Sequence, residues 1–276
     1  MTMYAVRTFR ATINNLLASG AGLIMLAPIY LVFANSLKTQ TDSATMSMDL
    51  PLNPHWANFN TVIDQGKLVE AFFNSVLYSV GGTVLSVLVS ALAAYVLARH
   101  RRRRHEIIYM LLIMGIAIPT NFVTLTKVMQ VTGLIDSQLG VILLYAATQI
   151  PFSVFLIYAF VDTLPKELDE AAFIDGCSPI RTFRSIILPM LTPVLVTCGV
   201  LNMLNLWNEF LIPLYFLNST HNWPMTLAVY NFFGQFQSNW ALVSADVVLT
   251  ILPMILIYLL AQRWILSGVS AGAVKG

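Results

Sequence analysis

The sequence predicts an all-α membrane protein with six transmembrane helices and both termini in the cytoplasm. Three observations carry this. Of the 276 residues, 57% are hydrophobic and only 10% are charged, whereas a soluble domain carries about 25% charged residues. The apolar sequence falls into six charge-free runs long enough to cross a bilayer. Twelve of the fifteen Lys and Arg residues lie on the side of the termini once six spans are drawn.

The runs come in order. Residues 11–37 lie between Arg10 and Lys38, 71–98 between Glu70 and Arg99, and 107–126 between Glu106 and Lys127. Residues 137–161 lie between Asp136 and Asp162, 185–208 between Arg184 and Glu209, and 247–262 between Asp246 and Arg263. A membrane helix needs roughly 17–25 apolar residues, so the last must begin before Asp246. The first run follows Arg7 and Arg10 as a signal peptide would, but its apolar stretch from Leu16 to Leu37 is too long for one. Prolines 28, 119, 151, 189 and 193 mark kinks or helix ends. The charge-free stretch from Phe210 to Ala245 is not read as a seventh span. Pro213, the run Asn218 to Pro224, and the polar residues Asn231, Gln235, Gln237 and Asn239 are turn formers or costly in hydrocarbon. An extracytoplasmic loop over about 210–240 fits them.

Positive residues stay in the cytoplasm. Arg7, Arg10, Arg99, the run Arg101–Arg104, Lys166, Arg181, Arg184, Arg263 and Lys275 are on the terminal side, and only Lys38, Lys67 and Lys127 oppose them. The arginine run is a membrane anchor and calls for no nucleic acid. Cys177 and Cys198 do not form a disulfide framework. His55, His100, His105 and His221 show no metal-ligand spacing, and no nucleophile–base set appears, so neither catalytic nor metal residues are expected. No Gly-x-x-x-x-Gly-Lys-Ser/Thr motif is present, so the chain does not bind ATP by a P-loop.

The fourth connection, about 162–188, is long and structured. Pro165 suits the first turn of a helix, and Glu167, Asp169 and Glu170 follow where the helix dipole favours acids. Gly176 can end the helix in a left-handed conformation. Ser178 then caps a second helix with Pro179 at its first position. The segment reads as a helix–turn–helix on the cytoplasmic face.

Glu170, Ala171, Ala172, Gly176, Ile186, Leu188 and Pro189 keep the full spacing of the "EAA" signature, Glu-Ala-Ala, three residues, Gly, nine residues, Ile, one residue, Leu-Pro. The loop thus resembles that of importer permeases of the ATP-binding-cassette superfamily, whose usual Asp-Gly-Ala extension is here Asp175-Gly176-Cys177. The resemblance runs over nearly the whole chain and implies a single permease domain, 1–276, of the type I importer fold. It also implies an ATPase-coupling role for Glu170, Ala171, Ala172, Asp175 and Gly176: small alanines enter a cleft of the ATPase, Glu170 pairs with a base there, and Gly176 turns the chain back. The chain would bind no cofactor itself, ATP and Mg being held by two ATP-binding partner subunits. A second permease subunit, forming a heterodimer, an extracytoplasmic solute-binding protein and membrane lipid complete the implied partners, in a bacterial or archaeal cell membrane.

Ile150-Pro151-Phe152 and the Thr163–Leu168 stretch, the Trp207-Asn208-Glu209-Phe210 motif and the tail Gly268–Gly276 within 263–276 look most like the carbohydrate branch, the maltose-type and glycerol-phosphate-type permeases. Import of a sugar or oligosaccharide is the expectation. Import of glycerol phosphate, a polyamine or an amino acid is the alternative within the superfamily, and a secondary transporter or channel is the alternative outside it.

Asn202, Asn205 and Asn208 recur every three residues beside Glu209, on one helical face. With Asn121 and Gln149 they are candidates to line a pathway for a hydroxyl-rich solute; helix–helix hydrogen bonding accounts for them equally well. In the extracytoplasmic loop, Asn218, His221 and Trp223 are candidates to contact the binding protein. Aromatic rings there could instead form an interfacial belt.

Overall fold

The computed structural model describes residues 2–100, 102–233 and 238–273. Helix α1 is Thr2–Ser36, α2 Gln40–Ser43, α3 Ala57–Gln65, α4 Leu68–Arg99, α5 Arg103–Ala117, α6 Phe122–Val131 and α7 Gln138–Val161. Then come α8 Glu167–Ile174, α9 Pro179–Thr182, a π-helical turn Phe183–Ile187, α10 Leu188–Met190, α11 Thr192–Trp207, α12 Leu211–Phe216, α13 Met225–Ala228 and α14 Trp240–Ala273. Among the described residues, four unbroken helices are long and apolar enough to cross a membrane, over Thr12–Ser36, Leu68–Arg99, Gln138–Val161 and Trp240–Leu260. Two bent pairs bring the total to six, as the sequence predicts. Arg101 and the end of the tail from Val274 lie outside the described residues, as do the side chains of the tail from Arg263.

Two spans bend sharply near prolines that the sequence marks as kinks or helix ends. The run 107–126 is broken: α5 ends at Ala117 and α6 leaves it at 115°. Pro119 is the cause. It drives the residue before it out of the helical region, and Ile118 is extended at φ −82°, ψ 119°. Asn121 then caps α6 by accepting from Thr124 N–H at 3.1 Å, so its side chain is spent on helix geometry. The fifth span bends by 75° between Pro179–Met190 and α11. Its π turn has Leu188 N–H bonded to Phe183 C=O, five residues back.

The chain divides into two compact units, one of residues up to Leu68 with Val229–Leu252, the other of Val69–Ala228 with the segment from Pro253. In the first, the end of α1 is tied down by polar groups. Lys38 is buried and donates to Asn35 Oδ1 at 3.1 Å and to Ser47 C=O at 2.7 Å. Asn58 donates to Ser36 C=O and Lys38 C=O. Gly66 sits where a Cβ would meet Val62 C=O at 2.5 Å and the Phe232 ring at 2.9 Å, so no larger residue fits. Asp246 is buried in α14, one turn before Thr250, placing a carboxyl group inside the sixth span.

The second unit holds the core that positions the functional loops. Ala91, Ala94 and Ala98 of α4 form a small-residue stripe packed on Ile157 and Val161 of α7 and on Ile187, Leu191, Val194 and Cys198. Small residues let membrane helices approach closely, where packing rather than water exclusion drives association. Nearer the other end, Tyr78, Tyr145, Leu206, Ile212 and Phe216 form a second cluster, with the Tyr78 and Tyr145 rings edge to face at 6.5 Å.

Candidate functional site

The cytoplasmic connection folds into the predicted helix–turn–helix. Its first helix, α8, starts at Glu167 with Lys166 at the N-cap, so Pro165 stands just before the helix instead of in its first turn. Gly176 takes φ +76°. Cys177 N–H bonds Ala172 C=O at 2.9 Å and Gly176 N–H bonds Phe173 C=O at 3.0 Å. This double closure is the Schellman motif, and it needs a left-handed residue at the position Gly176 holds. Ser178 accepts from Arg181 N–H at 3.4 Å, with Pro179 opening α9.

The two faces of α8 differ. Ala172 is only 2% exposed and packs inward, whereas Ala171 is exposed. Adjacent helical residues are about 100° apart, which here turns Ala171 outward and Ala172 toward its own chain. Glu170, Ala171 and Asp175 are exposed. Beside them stand Phe173 at 80% and Ile174 at 83% exposure. Two large apolar side chains are thus bared to water next to an acid, at the tip of the helix–turn–helix.

A charged clamp fixes the inner face of α8 to the end of α4. Arg99 Nε lies 2.9 Å from Asp169 Oδ2, and Tyr95 Oη donates to Asp169 Oδ1 at 2.5 Å. Arg99 also donates to Leu164 C=O at 3.1 Å and to Pro165 C=O at 3.4 Å. Tyr95 in turn packs its ring 5.3 Å from that of Phe183, beyond α9. Sequence reasoning placed Asp169 only as a dipole partner. Nothing local signals a bond to a residue seventy positions earlier, although Arg99 closing a span and an acid opening a helix are both visible.

Among the pathway candidates, the structure separates the three asparagines. Asn202 is 0% exposed. It donates to Ser86 Oγ at 3.0 Å and to Ser153 Oγ at 2.9 Å, tying α11 to α4 and α7. Asn205 and Asn208 are exposed, and Asn208 donates to Leu204 C=O of its own helix. Three-residue steps fall 60° short of a full turn, so the face drifts from the helix junction to the surface. Asn202 therefore lines no pathway here. Glu209 accepts from Leu211 and Ile212 N–H at 2.8 and 3.1 Å and caps α12. Gln149 is half-buried and Asn121 is exposed at the α5–α6 break.

At the opposite end, the 217–224 segment is held rigidly. Asp136, at φ +55°, accepts from Asn218 N–H at 3.1 Å, from Ser219 N–H at 3.0 Å and from the Ser219 hydroxyl. Burial raises its pKa, but these bonds and one from Asn222 outweigh that and hold it below its ordinary 3.8. Asn74 donates to His221 C=O at 2.8 Å, and Tyr78 to Asn222 C=O at 2.9 Å. Trp223 turns inward against the second cluster, with its indole N–H on Leu217 C=O at 3.3 Å. Its ring is thus partly buried by its own chain, unlike the exposed side chains around it. Asn218, Thr220 and His221 are exposed, His221 pairing with Glu70.

The fold is that of a multi-pass helical membrane subunit, with a cytoplasmic helix–turn–helix clamped to α4 and a braced extracytoplasmic loop. The chain belongs to the family of binding-protein-dependent transport system inner membrane components, whose model matches residues 86–270. It is therefore an inner-membrane transport component and not an enzyme, and it works with a solute-binding protein, a permease partner and an ATPase. It is 33% identical over 254 residues to a probable starch degradation products transport permease of Thermoanaerobacterium thermosulfurigenes, covering 92% of this chain and 93% of that one. It is 31% identical to a melibiose/raffinose/stachyose import permease of Bacillus subtilis, covering 99% of this chain and all of the relative. A bacterial ABC transporter involved in import of the acidic polysaccharide alginate has a chain of the same fold, with a TM-score of 0.80 at 20% identity over 93% of this chain and 96% of that one.

Proposed function

We propose that this chain is a permease subunit of an importer for a sugar or oligosaccharide, and that α8 is the surface on which a separate ATPase docks. The observation that carries it is the exposed pair Phe173 and Ile174 beside Glu170, bared on the cytoplasmic side and backed by the Asp169 clamp. ATP and Mg belong to two such ATPase subunits, and the second permease is a different chain. The carbohydrate class rests on the names of the relatives, which handle starch products and melibiose-type oligosaccharides. The exposed tip Asn218, Thr220 and His221 contacts the binding protein.

The test is uptake and copurification. Cells lacking this chain should lose uptake of a labelled oligosaccharide, and the purified complex should lose its ATPase subunits when Phe173 is changed to Glu. Uptake of amino acids or glycerol phosphate instead would reject the sugar assignment. Retention of the ATPase with Phe173→Glu and Ile174→Glu together would reject the docking face.

A further inference from the structure

An apolar groove runs along the outside of α4 from the cytoplasmic surface into the membrane. Its mouth, of about 500 Å³, is bounded by Leu92 and Val96 of α4 and by Ile180, Phe183, Arg184 and Leu188 across from them. A second part of about 430 Å³ shares Leu188 and continues past Leu88, Pro189, Leu195 and Val196. Val96 and Ile180 both line the mouth, and Leu88 and Val196 both line the deeper part. From Leu88 to Val96 the helix rises about 12 Å, which carries the groove well into one leaflet.

The π turn opens this groove. Its extra residue turns both Phe183 and Leu188, five positions apart, toward α4. Pro189 supplies no N–H to close the next turn normally. Leu88 and Leu92 are each more than half exposed along the floor.

The charge lies at one end only. Arg184 is at the mouth and exposed, with Arg181 one turn before it. No carboxylate lines either part, and among the described residues none pairs with Arg181 or Arg184. Tyr95, the other polar group at the mouth, already gives its hydroxyl to Asp169. A long apolar slot with a guanidinium at headgroup level matches one kind of molecule, an acyl chain bearing an anionic head. Arginine binds phosphate oxygens two at a time, and basic pockets between membrane helices on the cytoplasmic side hold anionic headgroups.

We propose that this groove is a binding site for one anionic phospholipid of the cytoplasmic leaflet, its acyl chain along Leu88, Leu92 and Leu195 and its phosphate on Arg184. The lipid wedges between α4 and the fifth span beside the docking helix.

The test uses the purified importer complex in nanodiscs with photoreactive phosphatidylglycerol or photoreactive phosphatidylcholine. Phosphatidylglycerol should label peptides spanning 88–96 and 180–196 several-fold more than phosphatidylcholine. Arg184→Gln should lower that labelling roughly fivefold, the worth of one arginine at an anionic surface. Arg184→Lys should retain most of it, and Arg103→Gln, on another helix, should leave it unchanged. Equal labelling by the two lipids would overturn the proposal, as would an equal loss in Arg103→Gln, which would make the effect a general surface charge. A photoreactive residue at Leu92 that captured another protein chain of the complex would also overturn it, because the groove would then be an inter-subunit seam.

Discussion

Replacing Asp169 by Asn removes a charge from the clamp with almost no change in volume. Asn still offers an oxygen to Tyr95 but no longer neutralises Arg99, whose side chain is 9% exposed against 22% for Asp169. A hydrogen bond to a charged group contributes about 1.5–3 kcal/mol, and leaving a buried charge unpaired costs about 3–5 kcal/mol. Arg99 keeps its bonds to Leu164 and Pro165 C=O, and the site is partly wet, so about 2 kcal/mol is expected. That is roughly a thirtyfold rise in the population with α8 detached. Amide exchange of residues 170–177 in the purified complex reads this population directly. Exchange should quicken about thirtyfold while the amides of α7 stay protected. With the ATPase docked on α8 as proposed, substrate moved per ATP hydrolysed should fall, because the pull would act on a helix loosely joined to α4. Arg99→Ala with Asp169→Ala should cost about 1.5–3 kcal/mol less than the two single changes summed. Strict additivity, or unchanged exchange in Asp169→Asn, would refute the clamp.

Gly176→Val forces a β-branched residue into φ +76°, a strain of about 1–3 kcal/mol. Transport should drop while the spans remain assembled, as a thermal-shift midpoint of the complex within a few degrees of the parent would show. The Asp136 carboxylate has a lowered pKa, so its contribution is present above the ordinary value and lost as pH falls through the lower folded-state value. The amides of Asn218 and Ser219 should stay protected at pH 6 and open in acid below about pH 4; Asp136→Ala should leave them open at both. Asn202→Leu should destabilise the α4–α7–α11 junction by about 0.6–1.7 kcal/mol, seen in the denaturant needed to unfold it in detergent micelles. Cysteines at Thr45 and Thr220 should react with an impermeant reagent from outside only, and one at Asp175 only from inside.

Much of the architecture is legible in the sequence because lipid imposes it. Charge-free runs and the arginine bias fix the spans without any knowledge of packing, and local signals fix the Gly176 turn and the Ser178 cap. What is not legible is tertiary. The 115° break after α5 is announced by Pro119, but a proline also permits a mild kink, and only packing decides between them. Ala172 and Ala171 look equivalent in a motif and are separated by a helix's rotation. Trp223 sits in a polar run that suggests a free loop tip, yet Tyr78, Asn74 and Asp136 bind the backbone around it and turn the ring inward. Each of these partners lies more than 60 residues away in sequence.

The Asn202 junction also bears on how the chain is made. Spans enter the membrane in the order of synthesis, and α11 is a poor candidate to enter alone: sixteen residues, with polar groups at 202 and 205. Its two hydroxyl partners, Ser86 and Ser153, belong to α4 and α7. Both are translated first and are already in place when the fifth span emerges. The earlier helices thus present a polar foothold to the late one, and a truncated chain lacking α4 should strand α11 at the membrane surface.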